Sequence, residues 1–277
     1  MKNFNGKAIY NPQGKAGEYA QWACNFYVGC SNGCEYCYCK KGILASVMGG
    51  NVPTLKKCFM DENHALYVFK NELKANLSEL QKHGLFFTFT TDPFLPETAP
   101  LTISAINFCI SNYVPVKILT KRADWDSLWN KYCMCVKRDV IRFVAFGFTL
   151  IGHDELEPNA NTNAERIEAM RKLHAAGFKT WASIEPIIDF ESSKEMITQT
   201  SEFCDLYKIG LESGKKYEKN QIIYFIAFVT KFLHEYGIKN KICFKDSLLK
   251  AAGINREDLP ANCVGRDYNM FNPLKPE

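Results

Sequence analysis

No stretch of this 277-residue chain stays apolar for more than eight residues, Ile222 to Val229. A membrane-spanning helix needs about 20. Residues 1–20 are polar and glycine-bearing, without the apolar centre of a secretory leader. Charge of one sign is also lacking: 34 basic and 30 acidic residues leave +4, an excess too small to mark a nucleic-acid surface by itself. No internal repeat or low-complexity tract is visible. These absences predict a soluble, cytoplasmic chain with no membrane partner. The 47% of apolar residues is ample for one continuous core.

Cysteine, in contrast, is plentiful, with twelve in the chain. In a cytosolic protein of this size that number points to metal ligation for a few and plain burial for the rest. Cys109, Cys204 and Cys243 stand in apolar segments and read as small core residues, and Cys133-Met134-Cys135 is too tightly spaced for a cluster. The organising stretch is Gly29-Cys30-Ser31-Asn32-Gly33-Cys34-Glu35-Tyr36-Cys37-Tyr38. Three thiolates on eight residues reach one inorganic cluster only if the backbone curls, and Gly29 and Gly33 supply the positive φ this requires. A four-iron cluster held by Cys30, Cys34 and Cys37 keeps one iron free of protein. That iron can chelate the amino and carboxylate groups of S-adenosylmethionine (SAM). The competing reading is a structural zinc knuckle, a non-catalytic metal-binding module. Zinc prefers four ligands, and neither Cys24 nor Cys39 forms a second pair at zinc spacing.

Along the chain, strands and helices alternate. Residues 1–19 are a turn-rich lead-in, and Ala20 to Val28 reads as a first strand ending at the cysteine loop. Leu66, Phe69, Leu73, Leu77 and Leu80 recur at helical spacing, with Gly84 as the stop. Strands are predicted over Leu85 to Thr91, Val114 to Thr120, Ile141 to Leu150, Phe178 to Ile184 and Leu206 to Leu211. Helices are predicted over Pro100 to Asn112, Asp124 to Cys133, a segment opened by the capping box Thr162-Asn163-Ala164-Glu165, and a long segment ending at Gly237. Six such units argue for a parallel sheet wound in one sense, a partial (βα)6 barrel of the TIM type. The expected organisation is a lead-in over 1–19, the barrel over 20–237, and an extension over 238–277 that covers it. The extension holds a short strand, Ile242 to Phe244, and a helix, Asp246 to Ala252.

CxxxCxxC with an aromatic before the last cysteine resembles the radical SAM superfamily. Within it, Gly-Cys-Ser-x-Gly-Cys-x-Tyr-Cys-Tyr is similar to the branch of spore photoproduct lyase and related DNA-repair proteins. The resemblance covers roughly residues 20–190. It implies a partial barrel, a 4Fe-4S cluster, and reductive cleavage of SAM to a 5'-deoxyadenosyl radical. It also implies an electron donor such as flavodoxin or ferredoxin, and a nucleic acid or nucleotide as substrate, with a peptide or small metabolite as the alternative.

In such a barrel, residues just past the C-terminal ends of the strands share one face. The resemblance assigns Thr91 and Asp92 to the amino-acid part of SAM, Lys121 to its carboxylate, and Thr149 to a strand that touches it. Tyr36 would pack near the adenine and Tyr38 would relay a hydrogen atom. Arg166 matches an arginine of the branch and would brace a carboxylate. Glu185 and Glu212 resemble carboxylates of a phage-associated radical SAM group. They read either as partners of ribose hydroxyls or a substrate amine, or as ion-pair partners of Lys121 or Arg166. The chain departs from the lyase at Phe89, where the lyase carries its hydrogen-donating cysteine. Cys263 is a distant substitute that requires the tail to fold over the barrel mouth.

Overall fold

The computed structural model describes residues 3–43, 45–124, 138–235 and 240–271. Strands β1 (Ile9–Tyr10), β2 (Ala23–Cys24), β5 (Leu85–Phe87), β6 (Val116–Thr120), β7 (Val144–Thr149), β8 (Lys179–Ile187), β9 (Leu206–Leu211) and β10 (Lys241–Phe244) form one sheet in that order. Every neighbouring pair is parallel except β1 with β2. A separate antiparallel ribbon joins β3 (Tyr27–Val28) to β4 (Thr54–Leu55). The helices are α1 (Ala45–Met48), α2 (Glu62–Ala75), α3 (Leu77–His83), α4 (Ala99–Ser111), α5 (Asn163–Ala175), α6 (Phe190–Thr200), α7 (Lys219–Glu235) and α8 (Asp246–Ala252). This is the expected mostly parallel α/β partial barrel. The helix expected over Asp124 to Cys133 falls almost wholly outside the described residues.

The inner strands are buried on both faces, which is why they read as almost unbroken apolar runs. Side chains on one face form the main core with the helices, including Phe69, Ile106, Phe146, Ile184 and Phe225. Those on the other face fill the barrel interior, where Phe86, Ala145, Trp181 and Cys243 pack with Tyr19 and with Met270 and Phe271 of the tail. Gly147 on β7 makes this possible, since a Cβ there would lie 2.1 Å from the Trp181 ring.

Several boundaries differ from the sequence expectation. The run Ala20 to Val28 is divided, because Ala23–Cys24 joins the main sheet whereas Tyr27–Val28 turns away to pair with Thr54–Leu55. The single amphipathic helix is two, broken at Asn76, whose side-chain amide donates to the Glu72 carbonyl. Strand β5 stops at Phe87, so Thr90 and Thr91 lie on a loop over the barrel mouth. Strand β8 runs on through Glu185-Pro186, with a register shift between Ile184 and Ile187. Strand β10 adds a seventh parallel strand beside β9. The capping box at Thr162 is present: Glu165 N–H donates to Thr162 Oγ1 at 3.2 Å, and Thr162 N–H to Glu165 Oε2 at 2.7 Å.

Candidate active site

The cysteine loop leaves β3 and lies against two neighbours. Gly29, at φ +82°, sits so close to the segment after the loop that a Cβ would be 2.5 Å from the Val52 carbonyl oxygen, and Cys30 N–H donates to the Gly50 carbonyl at 3.0 Å. On its other side Gly33 is at φ +75°, Asn159 Nδ2 donates to the Ser31 carbonyl at 3.0 Å, and Glu35 N–H to the Leu156 carbonyl at 3.0 Å. The curl anticipated from the glycines is therefore present.

Cys30, Cys34 and Cys37 all line one cavity of about 440 Å³ at the C-terminal ends of the strands. Among the described residues no three His, Cys, Asp or Glu side chains converge as the ligands of a single metal ion do. Ligands of a cluster sit at separate corners of a larger body, and three thiols facing one shared space suit that body. Burial and the Asp92 charge push the Cys30 thiol up to about 11, and burial raises Cys34. A hydrogen bond from the Cys39 thiol draws Cys37 down to about 6.

Asp92 anchors the cavity wall. One of its oxygens accepts from Phe94 N–H at 3.0 Å and Thr120 Oγ1 at 2.7 Å, the other from Asn32 Nδ2 at 2.9 Å and Lys121 N–H at 2.8 Å. A buried carboxylate with its acceptor positions filled this way fixes the cysteine loop to β6. Thr91 Oγ1 and Asn32 Oδ1 are buried without a hydrogen-bond partner, and both residues line the cavity. Such atoms are costly unless a ligand completes them.

Lys121 lines the cavity with its ammonium 3.8 Å from Glu157 Oε1 and 5.6 Å from the Tyr36 ring centre. Burial works against its charge, but Cys34 and Glu157 outweigh that and hold it above the usual lysine range. Glu157 is fully buried; it accepts from the Tyr36 hydroxyl and pairs with Arg166. Arg166 also donates to the Thr149 carbonyl at 2.6 Å. It braces a carboxylate, as its residue type suggested, but stands behind the wall and does not line the cavity. Tyr36, held by Glu157, has its phenol raised by burial and by that charge. Tyr38 is 57% exposed at the rim, and its hydroxyl donates to the Phe89 carbonyl. Thr149 is buried and reaches the cavity.

Glu185 pairs neither with Lys121 nor with Arg166. Lys245 Nζ lies 3.0 and 2.9 Å from its two oxygens, and the Tyr19 hydroxyl donates to Oε2 at 2.5 Å while also contacting Ser183 Oγ at 2.7 Å. Glu212 pairs with Lys41 at 2.9 Å across the mouth. The reason is topological: Lys245 follows β10, and β10 stands one strand from Glu212 and two from Glu185. Sequence reasoning missed Tyr19, Asn32, Glu157 and Lys245. Lys245 alone carried a usable signal, a charged residue directly after a short apolar strand. Cys263 packs beside Ile242 at the edge of the core and does not line the cavity. Cys24 and Cys39 are buried, while Cys133 and Cys135 lie outside the described residues.

Fold and site together define an open parallel α/β barrel whose mouth carries Cys30, Cys34 and Cys37 of one loop, with Cys39 beside them. No family model matches the chain. It is 24% identical over 206 residues to the Uncharacterized protein MJ0683 of Methanocaldococcus jannaschii, covering 68% of this chain and 69% of that one. Among solved structures it is similar to Streptococcus suis SuiB bound to S-adenosylmethionine, at 11% identity and a TM-score of 0.47 over 66% of this chain and 45% of SuiB. The structure of SuiB bound to precursor peptide SuiA gives 11% identity and 0.49 over 71% and 46%. The chain thus spans less than half the length of these structures. No helix among the described residues is long and apolar enough to cross a membrane.

Proposed function

We propose that the chain is a radical SAM enzyme. The observation that carries this reading is that Cys30, Cys34 and Cys37, Thr91 and Lys121 face one cavity at the barrel mouth. In this reading the three thiols hold a 4Fe-4S cluster, which when bound supplies the electron that splits SAM into methionine and a 5'-deoxyadenosyl radical. Lys121 receives the SAM carboxylate, and the uncompleted Thr91 Oγ1 and Asn32 Oδ1 accept from the N–H bonds of its amino group. Asp92 keeps the cysteine loop and Lys121 in register, and Arg166 with Glu157 keeps Tyr36 against the lysine. For substrate we favour a nucleotide-bearing molecule. The fixed Tyr38 ring at the rim and the nearby Lys15 offer a stacking face and a cation.

The test is anaerobic reconstitution with iron and sulfide, followed by dithionite and SAM. Bound iron and sulfide with release of 5'-deoxyadenosine are expected. Stoichiometric zinc with no iron uptake would return the chain to the metal-binding module.

A further inference from the structure

The cavity holds a thiol that the cluster reading leaves unused. Cys30, Cys34 and Cys37 give up their hydrogens to bind iron, whereas Cys39 lines the same cavity, is 6% exposed and stands outside the CxxxCxxC spacing. It sits on a single 3-10 turn, Tyr38–Lys40, in which Lys40 N–H donates to the Cys37 carbonyl and Lys41 N–H to the Tyr38 carbonyl, both at 3.1 Å. Gly49 backs this turn so closely that a Cβ would lie 3.0 Å from the Cys39 carbonyl oxygen, which fixes the turn in place. The phenol hydrogens of the cavity are engaged elsewhere: the Tyr19 hydroxyl donates to Glu185, that of Tyr36 to Glu157 and that of Tyr38 to the Phe89 carbonyl. The Cys39 thiol has looser holds, the Cys37 sulfur, the Tyr38 hydroxyl and, at 3.7 Å, the Phe89 carbonyl, because S–H is a poor donor. Asn32, 2% exposed, leaves its Oδ1 unpartnered in the same cavity, which marks the space beside Cys39 as built for an occupant.

We infer that Cys39 is the hydrogen-atom donor to a carbon radical formed in this cavity, an inference that rests on the radical SAM reading. An S–H bond is weaker than the C–H bonds of a sugar or an alkyl chain, so transfer from sulfur to such a carbon runs downhill. Serine and threonine hydroxyls hold their hydrogens too firmly for this. The step balances: the Cys39 S–H bond breaks, a C–H bond forms at the radical carbon, and the unpaired electron moves to sulfur. The thiyl then takes one electron from a low-potential reductant, dithionite in the assay below, and one proton from water, which restores the thiol.

The test uses the anaerobically reconstituted protein and two readouts. The first needs no turnover: iodoacetamide should alkylate Cys39 in the wild type, and bound SAM should slow that alkylation, as mapped by mass spectrometry of the peptides. The second is run in heavy water with SAM and dithionite and without a substrate. Cys39 then carries S–D, and the 5'-deoxyadenosine released by wild type should contain deuterium at its 5' carbon. Cys39→Ser and Cys39→Ala, with wild-type iron content and SAM affinity, should release 5'-deoxyadenosine that lacks it, whereas Tyr38→Phe should keep it. The assignment is overturned by a wild-type product without deuterium, by deuterium retained in both Cys39 variants, by its loss in Tyr38→Phe alone, or by alkylation of Cys39 that SAM does not slow. Loss of iron from both Cys39 variants makes Cys39 a ligand and overturns it as well. A wild-type chain that takes up no iron overturns the radical SAM reading itself, which separates the two failures.

Discussion

Three side chains decide whether the cavity works as proposed, since in that reading Cys30, Cys34 and Cys37 each bond to iron. Replacing Cys30, Cys34 or Cys37 by Ala should strip the reconstituted protein of its cluster, whereas Cys24→Ala and Cys39→Ala should keep it, because Cys24 is buried in the core and Cys39, although it lines the cavity, stands outside the CxxxCxxC spacing. Iron and sulfide analysis of the five variants checks this. Loss of iron from Cys39→Ala with retention in Cys37→Ala would reassign the loop. Lys121 should act on SAM alone: Lys121→Ala is expected to weaken SAM binding by about 1.5 to 3 kcal/mol, the range for a hydrogen bond to a charged group, with iron retained. Equilibrium binding to the reconstituted variant measures it. Residue type made these positions visible in the sequence. Their supports were not visible, because Asp92 reaches Asn32 and Thr120 across 60 and 28 residues.

Among the elements, α6 has a pH-dependent entry. Asp189 caps it, accepting from Ser192 N–H at 2.8 Å, and His153 contacts the same carboxylate at 2.5 Å and Glu155 at 2.7 Å. Burial opposes charge on His153, but those two carboxylates more than offset it and raise its pKa. Asp189 is drawn down to about 2, its hydrogen bonds to Ser192 and His153 outweighing its burial. The raised histidine contributes stability that is fully present below about pH 6.5 and is lost as pH rises through its folded value. The depressed aspartate contributes stability present above about pH 4 and lost as pH falls toward 2. Unfolding followed between pH 3 and 9 should show both limbs, and His153→Gln should remove the alkaline one while leaving most of the acid one. A histidine titrating at or below its ordinary value by NMR would contradict this. The cap itself follows from Asp189 and Ser192 being three apart, whereas the partnership with His153 spans 36 residues and depends on how β7 and β8 lie side by side.

For the whole molecule, the barrel interior is completed by the tail. Met270 and Phe271 are buried among Tyr19, Phe86 and Trp181. Truncation after Arg266 removes both, along with Tyr268, and uncovers the interior face of the sheet. Lost burial of two large apolar side chains predicts a destabilisation of about 3 to 6 kcal/mol, at about 1.5 to 3 for each. Urea unfolding of the truncated chain measures this. A transition at the wild-type midpoint would show that the tail adds nothing to the core.

Local pattern was enough to establish the alternation of strands and helices, the cysteine loop with its two positive-φ glycines, and the strand-end positions of Lys121 and Thr149. Each of these depends on neighbours within a few residues or on hydrophobic period. Tertiary structure alone decided which charge meets which. Glu185 belongs to Lys245 and Tyr19 because β10 joins the sheet and the lead-in folds over the barrel, while Arg166 is turned inward to Glu157. The same holds for Trp181, which fits the interior only because Gly147 stands opposite it on the next strand. Parallel neighbours are joined through a whole helix, so pairing between them depends on the winding of the barrel and leaves no local trace in the chain.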